Sequence, residues 1–380
     1  MLEIRYSEIE FFIAIILIVA TSIQILYYGL IYSRIALFKH KANTTELKNP
    51  PVSIIICAKN EEDNLRKFLP LILEQQYPAF EVILVNDCSE DDTESFITNL
   101  QKKYTNLKYT FIKDDPKFKH GKKLAVTLGI KAAQYNHFVF IDADCYPETP
   151  QWLQCISSQF NESTYIVLGY GGYEPKTGFL DKLVRYDTFF IALNYLSFAR
   201  IGLPYMGVGR NMAYSRAAYE QSSKFTKHYH ILSGDDDLFV CEVGRRGNTR
   251  IELSGQGFTR SEQVETFAQW CSQKRRHLTT ASSYRFIHQF LLALEPLTRM
   301  LMFSFILIYA ILLSTTLLYV VISLVSMRFL LQLIIHNLTM NRLHESKLLV
   351  YSPLFDVLLP FLISILMIQN KLNTRKRRWK

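Results

Sequence analysis

Apolar and polar positions fall into three regimes along the chain: long uninterrupted apolar blocks at both ends, and between them short apolar runs of strand length alternating with helix-length amphipathic stretches. The first block lies between Glu10 and Phe38, where FFIAIILIVATSIQILYYGLIY carries no charge before Arg34. A helix of that length crosses a hydrocarbon core of about 30 Å. It lacks a basic leader and a small-residue cleavage pattern, so it reads as an anchor rather than a secretory signal peptide. Near the other end, Met300 to Val325 is free of charge, and Leu348 to Ile368 is a second apolar stretch interrupted by Pro353, Asp356 and Pro360. Leu330 to Leu338, flanked by Arg328 and Arg342, is too short to span and is expected to be re-entrant or interfacial. The pattern thus predicts one N-terminal anchor and two C-terminal crossings, with an amphipathic lead-in over Tyr284 to Leu294.

The middle of the chain reads differently. Val52 to Ala58 is a β-branched run bounded by Pro50 and Pro51 and then by the polar Asn60-Glu61-Glu62-Asp63-Asn64. It predicts a strand buried on both faces, followed by a helix from about Asn64 to Gln76. Glu81 to Asp87 repeats the form, with Ser89 and the acids Glu90 to Asp92 opening the next helix. A third strand is expected over Leu107 to Ile112, a helix over Lys122 to Gln134, and a fourth strand over His137 to Cys145. Strands and helices alternating in this way imply right-handed crossovers and a mainly parallel sheet with flanking helices. The domains expected are an anchor and linker over 1–49, an α/β domain over 50–280, and a membrane region over 281–380.

Ligands of such sheets sit beyond the carboxyl ends of the strands. The polar groups there are Asn60 and Glu61, then Asp87, then Asp142 and Asp144. Several acids on one edge call for a cation. Asp142 and Asp144, two apart at the end of the apolar Phe138 to Ile141, offer hard oxygen ligands for Mg²⁺ or Mn²⁺ carrying phosphate oxygens.

The net charge of +9 comes largely from the membrane flanks and the tail, so it gives no reason to expect nucleic-acid binding. Arg34, Lys39, His40 and Lys41 follow the first apolar block while Glu3, Glu8 and Glu10 lie at its start, which places the middle domain on the cytoplasmic side of the inner (plasma) membrane. The basic tail from Arg375 to Lys380 asks for the same side. Six cysteines (57, 88, 145, 155, 241 and 271) are scattered without CxxC spacing and are expected to be reduced. Nothing in the pattern fixes an oligomeric state.

Six motifs in order over 51–277 resemble the family 2 inverting glycosyltransferases, which have a nucleotide-diphospho-sugar-binding fold. Pro51 to Glu62 resembles the opening strand and its Asn60-Glu61 end, which in the family touches the nucleotide. Asp87 in VNDCSEDDT stands where the family contacts the nucleoside, with Ser89, Asp91 and Thr93 also matching. Gly121-Lys122-Lys123 resembles a segment near the donor, and Asp142-Ala143-Asp144 the metal-binding DxD. Gly234-Asp235-Asp236-Asp237-Leu238 resembles the acidic motif carrying the general base, and Gln273-Lys274-Arg275-Arg276-His277 the Gln-x-x-Arg-Trp motif near the diphosphate. Gly207 to Asn211 is an acceptor or donor-sugar contact by the same resemblance. The chain departs from the family at His277, where tryptophan is usual, and at Asn86-Asp87-Cys88, where Asp-Asp-Gly is usual. The resemblance implies a glycosyltransferase A-type, Rossmann-like fold and a nucleotide-sugar donor, a UDP-sugar ahead of a GDP-sugar. The acceptor it implies is lipid-linked or a glycan.

The chemistry needs the same residue types on its own account. Glycosyl transfer has an oxocarbenium-like transition state, so a leaving diphosphate must be stabilised while an acceptor hydroxyl loses its proton. Metal on Asp142 and Asp144, with Arg276 and Lys122 or Arg275 as cationic donors, serves the first need. Asp235 or Asp236 serves the second, and the alignment of Asp237-Leu238 favours Asp235. Two other readings stand beside this one. A processive polysaccharide synthase needs a translocation channel, for which three crossings are few. A transporter needs ionisable residues at depth, where the pattern offers Asp356 alone, and a non-catalytic nucleotide-binding membrane protein that has lost catalysis is at odds with the presence of all the acids the chemistry requires. The aromatic segment Phe179 to Ala199 is read either as an interfacial helix or as one packed into a core.

Overall fold

The computed structural model describes residues 2–39, 49–113, 121–229, 231, 233–312, 315 and 317–372; the tail 373–380 and His40 and Lys41, used above for orientation, lie outside them. The described chain divides into two compact units: Lys39–Asp181 with Phe198–Tyr284, and residues 2–38 with Lys182–Ser197 and 285–372.

The α/β unit contains ten strands: β1 (Val52–Ala58), β2 (Phe80–Asp87), β3 (Leu107–Ile112), β4 (His137–Phe140), β5 (Cys145–Pro147), β6 (Ile166–Leu168), β7 (Gly171–Tyr173), β8 (Met212–Ser215), β9 (Thr249–Ile251) and β10 (Thr259–Ser261). Seven form one sheet in the order β3-β2-β1-β4-β8-β6-β9, and three form a small sheet, β5-β10-β7. The pairs joining β1 to β4 are parallel, whereas β8 runs antiparallel to both β4 and β6, so the large sheet is mixed. β1 and β2 are buried on both faces, as their unbroken apolar runs require. The helices Glu62–Leu73, Thr93–Gln101 and Lys122–Ala132 make the crossovers. The last lies tight on the sheet: a Cβ at Gly129 would come within 2.6 Å of Ile55 Cγ2. That close approach fixes its first residue, Lys122, at the carboxyl edge of β1.

The expected fourth strand, His137 to Cys145, is cut short. β4 stops at Phe140, where its pairing with β8 ends at Met212, and the chain then leaves the sheet. The Cys145 amide donates to the Asp142 carbonyl at 3.0 Å, closing a turn through Asp142-Ala143-Asp144 before β5 joins the small sheet. The acids therefore sit on a turn and not within a strand.

The other unit contains four helices long and apolar enough to cross a membrane: Glu8–Ala36, Phe286–Ile311, Leu318–Arg342 and Leu349–Leu372. Ile13, Ala14, Leu17 and Ala20 of the first pack with Met302, Tyr309 and Val321. Two expectations are corrected. Met300 to Val325 is not one span, because the chain breaks between Phe286–Ile311 and Leu318–Arg342, with Leu317 at φ 56°. Leu330 to Leu338 is not a short interfacial piece but part of the second of these helices, and the expected lead-in over Tyr284 to Leu294 runs directly into the first.

The cause lies in polar residues that face inward. Arg328, Gln332 and His336 interrupt the apolar run in sequence, yet each is fully buried in the bundle. Asp356, also fully buried, accepts from Arg328 Nη1 at 2.5 Å and Nη2 at 3.1 Å and from Arg299 Nη1 at 3.0 Å. Glu295 pairs with Arg299 at 3.3 Å, and Gln24 accepts from Arg328 at 3.2 Å while donating to the Glu295 carbonyl at 2.8 Å. Asp356 is thus not alone at depth, as the sequence suggested. It closes a cluster of balanced charge to which all four helices contribute. Asp356→Ala leaves two buried guanidinium groups without their carboxylate, a loss expected to cost about 3–5 kcal/mol. The thermal midpoint of the full chain in detergent checks this, and an unchanged midpoint would mean the cluster holds nothing together.

The aromatic segment resolves towards core packing. Within the helix Phe179–Ile201, Leu183, Val184, Tyr186, Phe189 and Leu193 are buried. Arg185 donates to Glu345 at 2.7 and 2.9 Å, with both side chains out of contact with solvent.

Candidate active site

The first two crossover loops are tied to each other. Asn60, at φ 55°, accepts from the Glu90 amide through Oδ1 at 2.8 Å, and its own amide donates to Ser89 Oγ at 3.0 Å. Asp91 accepts from the amides of Glu62 at 3.0 Å and Thr93 at 3.2 Å. Ser89 and Asp91 therefore bind backbone in this structure. Glu61 accepts from Asn64 at 2.7 Å, and Asp87 closes β2 fully buried. Cys88, where the family has glycine, takes φ 56°. The left-handed turn is kept without the glycine, at a backbone cost of about 1–2 kcal/mol.

A small cavity is lined by Cys57, Lys122, Asp142, Gly209, Asp235 and Asp236. Lys122 Nζ lies 2.7 Å from Asp142 Oδ1 and 3.4 Å from Asp235 Oδ2. Burial pushes the Asp142 carboxyl up, but Lys122, with Arg210 and Arg276 behind it, outweighs burial and holds it below its ordinary range. Asp142, Asp144 and Cys145 bring one potential ligand atom each to within 4.8 Å of one another. Cys145 is buried and its thiol donates to Asp144 Oδ1 at 3.3 Å. The exposed oxygens are those of Asp142 and Asp144, a hard, anionic donor set that fits Mg²⁺ or Mn²⁺ with phosphate oxygens completing the shell.

The three consecutive aspartates divide their contacts. Asp237 is buried, accepting from Thr280 Oγ1, from Tyr284 Oη at 2.7 Å and from the Leu238 amide at 2.7 Å. Asp236 caps the helix Asp237–Val243, accepting from the Asp237 amide at 2.7 Å and the Gly209 amide at 2.9 Å. Asp235 keeps its carboxylate towards the cavity, with 10% of the side chain exposed. Burial, and then the negative charges of Asp235 and Asp237, push Asp236 up to about 7. A carboxyl raised on folding favours the folded state while protonated and loses that contribution as pH rises through its folded value. In the metal-free protein, Asp236→Asn is therefore expected to raise the melting temperature more at pH ~8 than at pH ~5. Asparagine still caps the helix, so an equal shift at both pH values would count against this account.

Gln273 and Arg276 lie on the helix Phe267–His277, whose start is a capping box between Thr266 and Gln269. Gln273 Nε2 donates to the Tyr173 hydroxyl at 3.1 Å, while Arg276 adds positive potential at Asp142. His277 is exposed. The structure thus brings Lys122, Asp142, Asp235 and Asp236 together and sets Asp144 and Arg276 near them. Asn60, Glu61 and Asp87 lie at the neighbouring strand ends. Tyr173 and Arg210 were missed as individuals; the available signal was the cluster of glycines at 169, 171, 207 and 209, of which Gly169 and Gly171 crowd against Asn211 and Arg210 and Gly209 against Lys122 and Asp142.

The family described as glycosyl transferase family 2 matches residues 53–222. Over 107 residues the chain is 34% identical to glycosyltransferase AglE of Haloferax volcanii, covering 28% of this chain and 34% of AglE. Over 93 residues it is 32% identical to a poly-beta-1,6-N-acetyl-D-glucosamine synthase of Staphylococcus epidermidis, covering 24% of this chain and 21% of the synthase. These matches span about a third or less of either relative. Among solved structures, the mannosyltransferase PcManGT from Pyrobaculum calidifontis, in complex with GDP-Man and Mn²⁺, is similar in fold. Its TM-score is 0.57 over 91% of this chain and 99% of that one, at 15% identity.

Proposed function

Residues 53–222 form a glycosyl transferase family 2 domain, and from that premise we propose that the chain is a membrane-bound inverting glycosyltransferase. It moves a sugar from a nucleotide-diphospho-sugar, a UDP-sugar ahead of a GDP-sugar, to a lipid-linked or glycan acceptor. The observation that carries this reading is that one cavity holds both the Asp142 end of the metal-type acid pair and a separate, cavity-facing carboxylate, Asp235.

Asp142 and Asp144 hold the Mg²⁺ or Mn²⁺ ion, which supplies charge neutralisation for the leaving diphosphate. Asn60, Glu61 and Asp87, at the ends of β1 and β2, take the nucleoside side of the donor. Asp235 accepts the proton of the acceptor hydroxyl as that oxygen bonds to the anomeric carbon. The bond from that carbon to the diphosphate breaks, its electron pair leaving with the nucleoside diphosphate. Attack from the face opposite the leaving group inverts the anomeric centre. Lys122, held between Asp142 and Asp235, keeps the two acids close without repulsion while no donor is bound.

The domain faces the cytoplasm of the inner membrane, supported by Arg34 and Lys39 after the first apolar helix. Three full crossings after the domain would send the basic tail to the opposite side, so the orientation rests on Arg34 and Lys39 and not on the tail.

Purified full-length protein in detergent, screened with UDP- and GDP-sugars and Mn²⁺ or Mg²⁺, tests the reading. Metal-dependent release of nucleoside diphosphate supports it. No turnover together with no metal-dependent nucleotide binding moves the assignment to a non-catalytic membrane protein.

A further inference from the structure

The segment Gly209-Arg210-Asn211 is pinned on both sides of its arginine. The Gly209 amide donates to Asp236 at 2.9 Å, and the Arg210 carbonyl accepts from Thr259 Oγ1 at 2.9 Å. Asn211, fully buried, donates to the carbonyls of Tyr170 at 2.7 Å and Gly257 at 2.8 Å and accepts from Trp152 Nε1 at 3.0 Å. With the backbone held this way, the side chain has one direction open. Strand β7 leaves room for it, since a Cβ at Gly171 would stand 2.5 Å from Arg210 Cγ. The guanidinium then lies over the Tyr173 ring, 4.7 Å from its centroid. The Tyr173 side chain is also a hydrogen-bond partner of the guanidinium, whose five N–H donors exceed what that one contact can use and leave others for an anion.

Position gives those donors a partner. Gly209, the residue before Arg210, lies against the metal-type turn, since a Cβ there would stand 2.9 Å from Lys122 Nζ and 3.6 Å from Asp142 Oδ1, and Arg210 adds positive potential at Asp142. Of the other cations there, Lys122 is already engaged by Asp142 and Asp235, and Arg276 comes from the helix that carries Gln273. Tyr173 in turn is held from behind, because Gln273 donates to its hydroxyl at 3.1 Å. The contact that the structure gives Gln273 is therefore to the aromatic platform under the arginine.

We infer that Arg210 binds the diphosphate of the donor as a leaving-group cation, and that Gln273 is a positioning residue acting on it through Tyr173. This rests on the donor-site reading above and changes the role of Gln273 from a contact with the nucleotide to a support for another residue. Arg210 and Gln273 thereby form one unit built from a turn, strand β7 and a helix.

The test is equilibrium binding to the full chain in detergent with Mn²⁺, using UDP and UMP, and GDP and GMP, as paired probes. Arg210→Gln is expected to weaken the diphosphates about 10–100-fold, the worth of a hydrogen bond to a charged group, and the monophosphates by less than about 3-fold. Arg210→Lys keeps the charge without the fork and falls between. Gln273→Ala gives a smaller loss of the same kind, and combined with Arg210→Gln it adds nothing further. Equal losses for mono- and diphosphates, or undiminished diphosphate binding by Arg210→Gln, overturn the assignment. A Gln273→Ala loss that adds fully to that of Arg210→Gln overturns the positioning role. If wild-type protein shows no metal-dependent binding of either diphosphate, the donor-site reading falls and this inference with it. If wild type binds and Arg210→Gln binds as tightly, only the inference falls.

Discussion

Asp144→Ala is expected to reduce metal-dependent release of nucleoside diphosphate by about 10³-fold or more, since the variant removes one of two anionic oxygen ligands where charge develops in the transition state. The structure makes this substitution more informative than its neighbour. Asp142 is bound to Lys122 at 2.7 Å, so replacing it also strands a cation and disturbs Asp235. Asp144 stands exposed on the turn, where it accepts from the Cys145 thiol, and can be removed with little damage to the fold. Turnover by Asp144→Ala at wild-type rate in Mn²⁺, with wild-type metal affinity, would take the metal away from this turn. A parallel titration of Mn²⁺ by electron paramagnetic resonance separates loss of metal from loss of chemistry.

The second large effect is on the other side of the cavity. Asp235→Asn is expected to lower sugar transfer by about 10²–10⁴-fold, the usual worth of a general base, while leaving UDP affinity within about 3-fold of wild type. Asp236→Asn should not behave this way. Asp236 already accepts from the amides of Gly209 and Asp237, so its carboxylate is occupied in shaping the loop and capping a helix. A kcat collapse in Asp236→Asn with near-normal transfer by Asp235→Asn would reassign the base. The two variants thus settle an ambiguity that three successive aspartates leave open in the sequence.

What could be read from the sequence follows from range of interaction. β1, β2 and β3 were found almost to the residue because unbroken β-branched runs between turn residues are a local signal. Asn60, Asp87 and Asp142 were placed at one edge by a rule of parallel sheets, which needs only strand direction. The end of β4 was missed because it depends on β8, a strand more than seventy positions later that pairs antiparallel. The membrane region misled for a related reason. Arg328 looked like the boundary of an apolar run, because its partners Asp356 and Gln24 are 28 and 304 positions away. A charge that closes a span and one buried within it look alike until the partner is known. Arg210 was legible only as part of a glycine-rich segment, since its orientation comes from Gly171, Tyr173 and Thr259 on two strands of the small sheet.

The cluster around Asp356 also sets an order of assembly. Arg299 and Arg328 precede Asp356 in the chain, so during synthesis two cations reach the membrane before the carboxylate that both of them bind. Arg299 carries Glu295 four residues before it in the same helix, but Arg328, near the middle of the next, opposes insertion by about 2.5–3.5 kcal/mol until it is paired. A chain truncated before Ser352 is expected to keep one unmatched cation in the bundle, so the last helix completes its charge balance.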